Sequence, residues 1–239
     1  MTDLRTPPVN DGDLFSERVR QYSYEKPLRQ LVILLAGCGG TYGFDPDTFS
    51  SHVERHVTGI DVDTPVLRAR TEDRGDLDSW HLGDLRTVPL PPRTFHVVCV
   101  PFLIERIPHA ELTLDRFIAA LKPGGLLLVR FRDRDTAFGF VERLIPGPLR
   151  RRILGESAPS VYEPIASYKG IHLYCVMRGL MVAEEYVSRD TAAHHGPWSG
   201  LLTAAARLVA ACTGGRLPAD HSEVTFVIRK PENRFARLL

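Results

Sequence analysis

The sequence predicts a mostly parallel, doubly wound α/β sheet with helices on both faces. Three observations carry this. Leu31 to Leu35 is an unbroken apolar run, the pattern of a strand buried on both faces of a parallel sheet. Glycines 37, 39, 40 and 43 follow it directly. Downstream, short apolar segments alternate with amphipathic ones, the β–α–β rhythm that implies right-handed crossovers.

Taken in order, residues 1–13 are polar, carry Pro7-Pro8 and read as a loose tail, with 14–239 as one domain. LFSERVRQYSYE (14–25) suits a short helix ending before Pro27. LVILL (31–35) is the first strand, and 46–56 can be helical. HVTGIDVD (56–63) is a second strand ending in acids, WHLGDL (80–85) a third, and TFHVVCV (94–100) a fourth. ELTLDRFIAAL (111–121) spaces Leu114, Phe117, Ile118 and Leu121 as one helix face, and KPGG stops it. LLLVRF (126–131) is the fifth strand. From about 134 to 170 the alternation breaks: Pro146, Pro148, Pro159 and Pro164 punctuate short helical pieces, so a small helical cap is inserted after strand five. SYKGIHLYCVMRG then reads as a helix with Ile171, Tyr174, Cys175 and Arg178 on one stripe and Gly179 as its C-cap. LMVAEEYVS (180–188) is a sixth strand, LLTAAARLVAAC (201–212) a helix, and EVTFVIRKP (223–231) the seventh strand.

Composition narrows the function classes. A single domain of 239 residues buries about 70–75% of its unfolded surface and needs no staples. Thirty basic against 29 acidic residues leave a net charge of +1, without the basic excess of a dedicated nucleic-acid binder. The N-terminal MTDLRTPPVNDGDL has no apolar h-region, and the run Leu31–Ala36 is far too short to span a bilayer, so a soluble cytoplasmic protein with no membrane partner is expected. Cys38, Cys99, Cys175 and Cys212 are scattered without a CxxC and read as small core residues. His52 and His56 share a helical spacing, but Glu54 between them does not match a metalloprotease motif, and no metal is expected.

The chemistry concentrates around the glycines. A turn without Cβ atoms lets the backbone approach a ligand closely. Asp61 and Asp63 close the second strand, 24 and 26 residues after Gly37, where a carboxylate can accept both ribose hydroxyls of an adenosine. Alone, this suits a nicotinamide dinucleotide as well as another adenosine ligand, although the G-x-G-x-x-G fingerprint fails at Tyr42. Asp63 also reads as the N-cap of the following segment.

Five segments in order, LVILLAGCGG, VTGIDVD, WHLGDLRTVPLPPRTFHVVCV, FLIERI and ALKPGGLLLV, resemble the class I S-adenosylmethionine-dependent methyltransferases, specifically the small-molecule branch. The resemblance covers residues 28–131 strongly and 166–231 weakly. EVTFVIRKP looks like that family's last strand, which implies a seven-stranded sheet with the last strand antiparallel. It further implies that Gly37 and Gly39 line the methionine half of S-adenosylmethionine, that Asp61 holds the ribose and that Val62 packs on the adenine. Asp84 would accept from the adenine amino group, the Leu85 N–H would meet a ring nitrogen, and Val100 and Pro101 would face the methionine amino group and the methyl. The sequence departs from the family in three places. Leu35 stands where an acid usually precedes the first glycine by two residues, GCGGT replaces GCGTG, and Phe95-His96 replaces Phe-Asp.

The resemblance also implies that the inserted 134–170 and the segment 189–200 roof the acceptor. They hold Phe138, Phe140, Tyr162, Tyr168 and Trp198, which either form an aromatic wall or fill core, and His194 and His195, which are either candidate bases, His195 first, or a surface loop. Glu105, after the fourth strand, is a candidate acid or a helix-start charge. The expected reaction is methyl transfer to a small, natural-product-like organic acceptor, yielding S-adenosylhomocysteine, with no metal and no nucleic acid. Two rival readings keep the fold: a cyclisation or rearrangement with a structural cofactor, and a non-catalytic binding protein with a degenerate pocket. No motif speaks to oligomeric state.

Overall fold

The structure, a computed structural model, describes residues 11–26, 28–40, 42, 53–145, 161–188 and 199–232. Among these the order is α1 (Asp11–Glu25), β1 (Gln30–Ala36), β2 (Glu54–Asp61), α2 (Pro65–Glu72), β3 (Ser79–Leu82), β4 (Phe95–Pro101), α3 (Ala110–Ala120), β5 (Leu121–Arg132), α4 (Ala137–Leu144), α5 (Tyr168–Arg178), β6 (Met181–Ser188), α6 (Ser199–Cys212) and β7 (Glu223–Arg229). The strands form one seven-stranded sheet in the order β3-β2-β1-β4-β5-β7-β6, with β7 antiparallel to both its neighbours. The chain winds outward from β1 to β3, then returns to β4 on the other side of β1. In sheets of this kind ligands bind outside the carboxyl ends of the strands at such a reversal, here between β1 and β4.

The continuous apolar strands bury both faces, and alternate residues sort to opposite sides. Leu31, Ile33, Leu35, Val97, Cys99 and Leu128 pack with Phe15, Val19 and Tyr22 of α1. Leu34, Ala36, Val98, Val100, Val129 and Phe226 pack with Leu114 and Phe117 of α3 and Ile171 and Tyr174 of α5. At about 1.5–3 kcal/mol for each large side chain fully buried, these two layers supply the main favourable term in folding.

Several boundaries differ from the sequence reading, each for a physical reason. Helix α1 begins at Asp11, so 11–13 are helical, and the rest of the expected tail lies outside the described residues. Glu54, Arg55 and His56 are not helical: they pair with Gln30, Leu31 and Val32, because the parallel ladder outweighs their weak helical pattern. His56 therefore shares no helix face with His52, which lies outside the described residues. Strand β3 stops at Leu82, where the Gly83 N–H donates to the Asp61 carbonyl at 2.9 Å and turns the chain away. Helix α3 ends at Ala120, and Leu121 pairs with Phe95, so KPGG falls inside β5 at a register shift. The Lys230 ammonium caps this helix, donating to the carbonyls of Ile118 and Leu121 at 2.5 and 2.7 Å. Thr64, not Asp63, is the N-cap of α2, its hydroxyl accepting from the Leu67 N–H. Cys38, Cys99 and Cys175 are buried, whereas Cys212 is exposed. Gly179 caps α5 in the left-handed region, with φ of 62°.

Candidate functional site

The glycine turn is held from below and from one side. Gly37 has φ of 86°, which a side chain disfavours, and its N–H donates to the Ile60 carbonyl at 2.7 Å. A Cβ there would lie 3.3 Å from the Pro101 carbonyl, so the tips of β1 and β4 meet at this glycine. A Cβ on Gly39 would lie 2.8 Å from the Leu67 Cβ, so this glycine is what lets α2 close on the turn. Asp61, only 1% exposed, accepts from the Gly39 N–H at 2.9 Å and the Val62 N–H at 2.8 Å. Burial raises its pKa, opposed by the charge of Arg106 and by the two N–H donors. Leu35 is fully buried in the layer beneath α1, so the acid that ties down this turn is Asp61. Tyr42, which breaks the dinucleotide fingerprint, turns its ring edge-on to Phe15, 5.4 Å between centroids.

A cavity of about 330 Å³ lies along the tips of β2 and β3. Val62 and Asp63 line one side, Gly83, Asp84, Leu85 and Arg86 another, and Ile107, Pro108 and Thr113 the approach to α3. Its volume is at the lower end of ligand pockets, enough for a flat heterocycle with its substituent. Asp84 is exposed and paired with Arg86, whose side-chain hydrogen bonds, 2.7–3.1 Å, pull the carboxyl down to about 2. Asp63 pairs with Arg68. The Leu85 side chain is buried, as are Val100 and Pro101, which leaves the main chain of these three residues to meet a ligand.

Beyond β4 the character of this edge changes. Phe102 has φ of 51°, and its N–H donates to the Arg130 carbonyl at 2.7 Å. A non-glycine residue held in this region marks a position that the surroundings over-determine. Its ring carries the guanidinium groups of Arg130 and Arg132 at 4.7 and 5.8 Å. Arg130 pairs with Glu223 at 2.9 Å, and Arg132 pairs with Glu142 at 3.1 Å. Asp133, buried at the end of β5, and Asp220 flank the His221 ring at 3.4 and 2.9 Å. Burial lowers the His221 pKa, but hydrogen bonds to Asp133 and Asp220 outweigh it, and the net shift is upward.

The sequence-predicted residues on the acceptor side scatter. Glu105 is fully buried, its carbonyl accepting from the N–H groups of Val161 and Tyr162 at 2.8 and 3.0 Å, so it anchors the incoming segment rather than starting a helix. Tyr162 is buried and donates its hydroxyl to Glu142 at 2.6 Å. Tyr168 packs on Phe226 and His172 at 5.6 and 4.8 Å, and burial with the nearby Glu185 pushes its hydroxyl up to about 12. The Tyr162 ring is buried, Tyr168 is half-buried against the core, and the nearby edge of β5 and β7 carries paired charges. Phe138 and Phe140 are half-buried on α4. Trp198, His194 and His195 lie outside the described residues.

Sequence reading missed Arg106, Phe102 and the Asp133–His221 pair as components of this edge. Arg130 and Arg132 alternate within LLLVRFR, a signal that two cations share one face, but only the antiparallel register brings Glu223 beside them, directly opposite Arg132. Among the described residues no group of three or more His, Cys, Asp or Glu side chains could hold a metal ion, and no helix is long and apolar enough to cross a membrane.

Comparisons with known proteins bear on the fold and the family. The methyltransferase-domain family matches residues 34–129, from β1 through most of β5. A curated relative from Mycolicibacterium smegmatis, named as a probable S-adenosylmethionine-dependent methyltransferase, is 28% identical over 139 residues, which are 57% of this chain and 52% of the relative. The chain thus spans about half the length of that relative. Among solved structures, the [4+2]-cyclase SpnF aligns over 95% of this chain and 86% of its own, with TM-score 0.54 and 16% identity. Phosphoethanolamine N-methyltransferase 2 of Haemonchus contortus, in complex with S-adenosyl-L-methionine, aligns over 96% of this chain and 54% of its own, with TM-score 0.54 and 14% identity. An S-adenosylmethionine-dependent methyltransferase from Mesorhizobium loti aligns over 88% and 96%, with TM-score 0.52 and 12% identity. At such identities the structural likeness is one of fold. The matching segment, the curated relative and the strand order together support a class I S-adenosylmethionine-dependent methyltransferase.

Proposed function

We propose that this chain transfers a methyl group from S-adenosylmethionine to a small organic acceptor. The observation that carries the reading is the glycine turn at the switch point of the sheet, tied down by Asp61, whose neighbour Val62 lines the cavity along the tips of β2 and β3. The residues fit the cofactor. Gly37 leaves a cradle that a Cβ would narrow against the Pro101 carbonyl. When bound, the cofactor supplies a methyl group on a sulfonium with a good leaving group.

The chain's own part is to align and enclose. Gly37 and Gly39 admit the amino-acid half. Each oxygen of Asp61 keeps a lone pair beyond its N–H bond, which suits a ribose hydroxyl. Val62 and the Leu85 N–H address the adenine ring, Asp84 accepts from its amino group, and Val100 and Pro101 face the methyl. The charged edge of β5 and β7 supports an acceptor bearing polar groups, more than the flat apolar one suggested by the aromatic residues. His195, and after it His194, is the proposed base for an acceptor whose O–H or N–H is still protonated at working pH.

Two measurements test this. Mass spectrometry of the purified protein should detect co-purified S-adenosylmethionine or its product, and turnover with a panel of small acceptors should release S-adenosylhomocysteine. Tight cofactor binding with no consumption across acceptors overturns methyl transfer.

A further inference from the structure

Arg106 stands where the tips of β1, β2 and β4 converge. One guanidinium nitrogen, Nη2, lies 3.7 Å from the point a Cβ on Gly37 would occupy. Its Nε is shielded from solvent and donates to no acceptor among the described residues. Its charge is felt at Asp61, but no hydrogen bond joins the two side chains, the Asp61 oxygens accepting from the Gly39 and Val62 N–H groups. The side chain is half-buried. The neighbouring arginines on this edge differ: Arg130 and Arg132 each hold a carboxylate. A guanidinium presents five donors in a planar fork shaped for a carboxylate, and leaving such donors unfilled away from water is costly.

We propose that Arg106 is the receptor for the α-carboxylate of the cofactor's amino-acid half. The assignment rests on the cofactor reading above and specifies which residue discriminates that ligand from other adenosine compounds. The carboxylate would complete the guanidinium beside the glycine turn, while the adenosine half lies some distance away in the cavity along β2 and β3. Lysine could supply the charge but not the fork.

Two adenosine ligands separate this from its alternatives: S-adenosylhomocysteine, which carries the amino acid, and 5′-methylthioadenosine, which lacks it. Calorimetry on Arg106→Gln should show S-adenosylhomocysteine weakened about 10- to 100-fold, with 5′-methylthioadenosine held within about twofold of the unaltered protein. Arg106→Lys should recover part of the loss, and unliganded thermal unfolding of both variants confirms that each is folded. An unchanged S-adenosylhomocysteine affinity overturns the assignment, as does an equal loss for both ligands. A variant that keeps that affinity but raises KM for acidic acceptors overturns it too, because Arg106 would then read the acceptor. If the unaltered protein binds neither ligand, the cofactor reading falls, and the assignment with it.

Discussion

At the tips of β1 and β2 the chain places glycines 37 and 39, backbone N–H donors and one buried carboxylate; at the tips of β5 and β7 it places Arg130, Arg132, Asp133, Glu223 and His221, nearly all paired. Both lie on the same carboxyl edge, two strands apart. The first region is defined by what is missing, since a single methyl group would collide with Pro101 or Leu67. The second is defined by what is matched. The glycine end should therefore be intolerant of volume, and the charged end intolerant of losing one member of a pair.

The largest effect is expected at the charged end. Glu223→Ala removes the carboxylate that holds Arg130, in a pair whose side chains are only 10% and 5% exposed. Breaking a buried pair from one side costs about 3–5 kcal/mol, readable as a shift in the urea midpoint. A loss below about 1 kcal/mol would break the contrast between the two regions. Next comes Gly39→Ala, which pushes a methyl against Leu67 and should cost about 1–3 kcal/mol by overpacking. It should also weaken S-adenosylhomocysteine, because α2 and the turn cannot both keep their places.

Smaller effects sharpen the comparison. The folded-state pKa of His221 is raised, so its contribution to stability is complete below the ordinary histidine value, about 6.5, and disappears as pH rises through the folded value. His221→Gln should therefore be less stable than the parent in acid and approach it in mild alkali; a gap that widens with pH would reverse the assignment of Asp133 and Asp220 as its partners. Asp84→Asn should leave the unfolding midpoint where it is, since the pair with Arg86 is solvent-exposed. Its expected effect is a reduced preference for adenosine over inosine ligands, and a preference left intact would place the amino group elsewhere.

How much of this was legible in the sequence follows the same divide. Strand β1, the glycine turn and Asp61 were readable because their signals are local: an apolar run, residues without side chains, an acid at a strand end. Glu54 and Arg55 were misread as helix because their polarity hides a ladder with Gln30 and Leu31 that only the assembled sheet reveals. KPGG was read as a helix stop, while the actual cap comes from Lys230 at the far end of the chain. Arg106 follows Glu105 in FLIERI, and nothing in its sequence neighbours tells that it folds back over Gly37. Tyr162 and Tyr168 were recognised as possible core or wall; Tyr162 is buried with its hydroxyl on Glu142, whereas Tyr168 stays half-buried on Phe226. Arg130 and Glu223 are 93 residues apart, so their match appears only with the antiparallel register.

The direction of β7 has a consequence for how such an edge can diversify. Strand β6 ends at Ser188 and β7 begins at Glu223, both on the carboxyl side, and the Ser222 N–H closes the base of the excursion onto the Ser188 carbonyl at 2.8 Å. The chain between them leaves and re-enters on one side and need never traverse the sheet, unlike the connections that join parallel neighbours. Such a closed loop can change length at little entropic cost, about 0.6 kcal/mol for each doubling. Helix α6 sits on this excursion and packs on α4, so a longer or rewritten loop would reshape the roof over the charged edge while β1, β2 and the glycine turn stayed in register. The fold thereby separates a part that can be exchanged from a part that cannot.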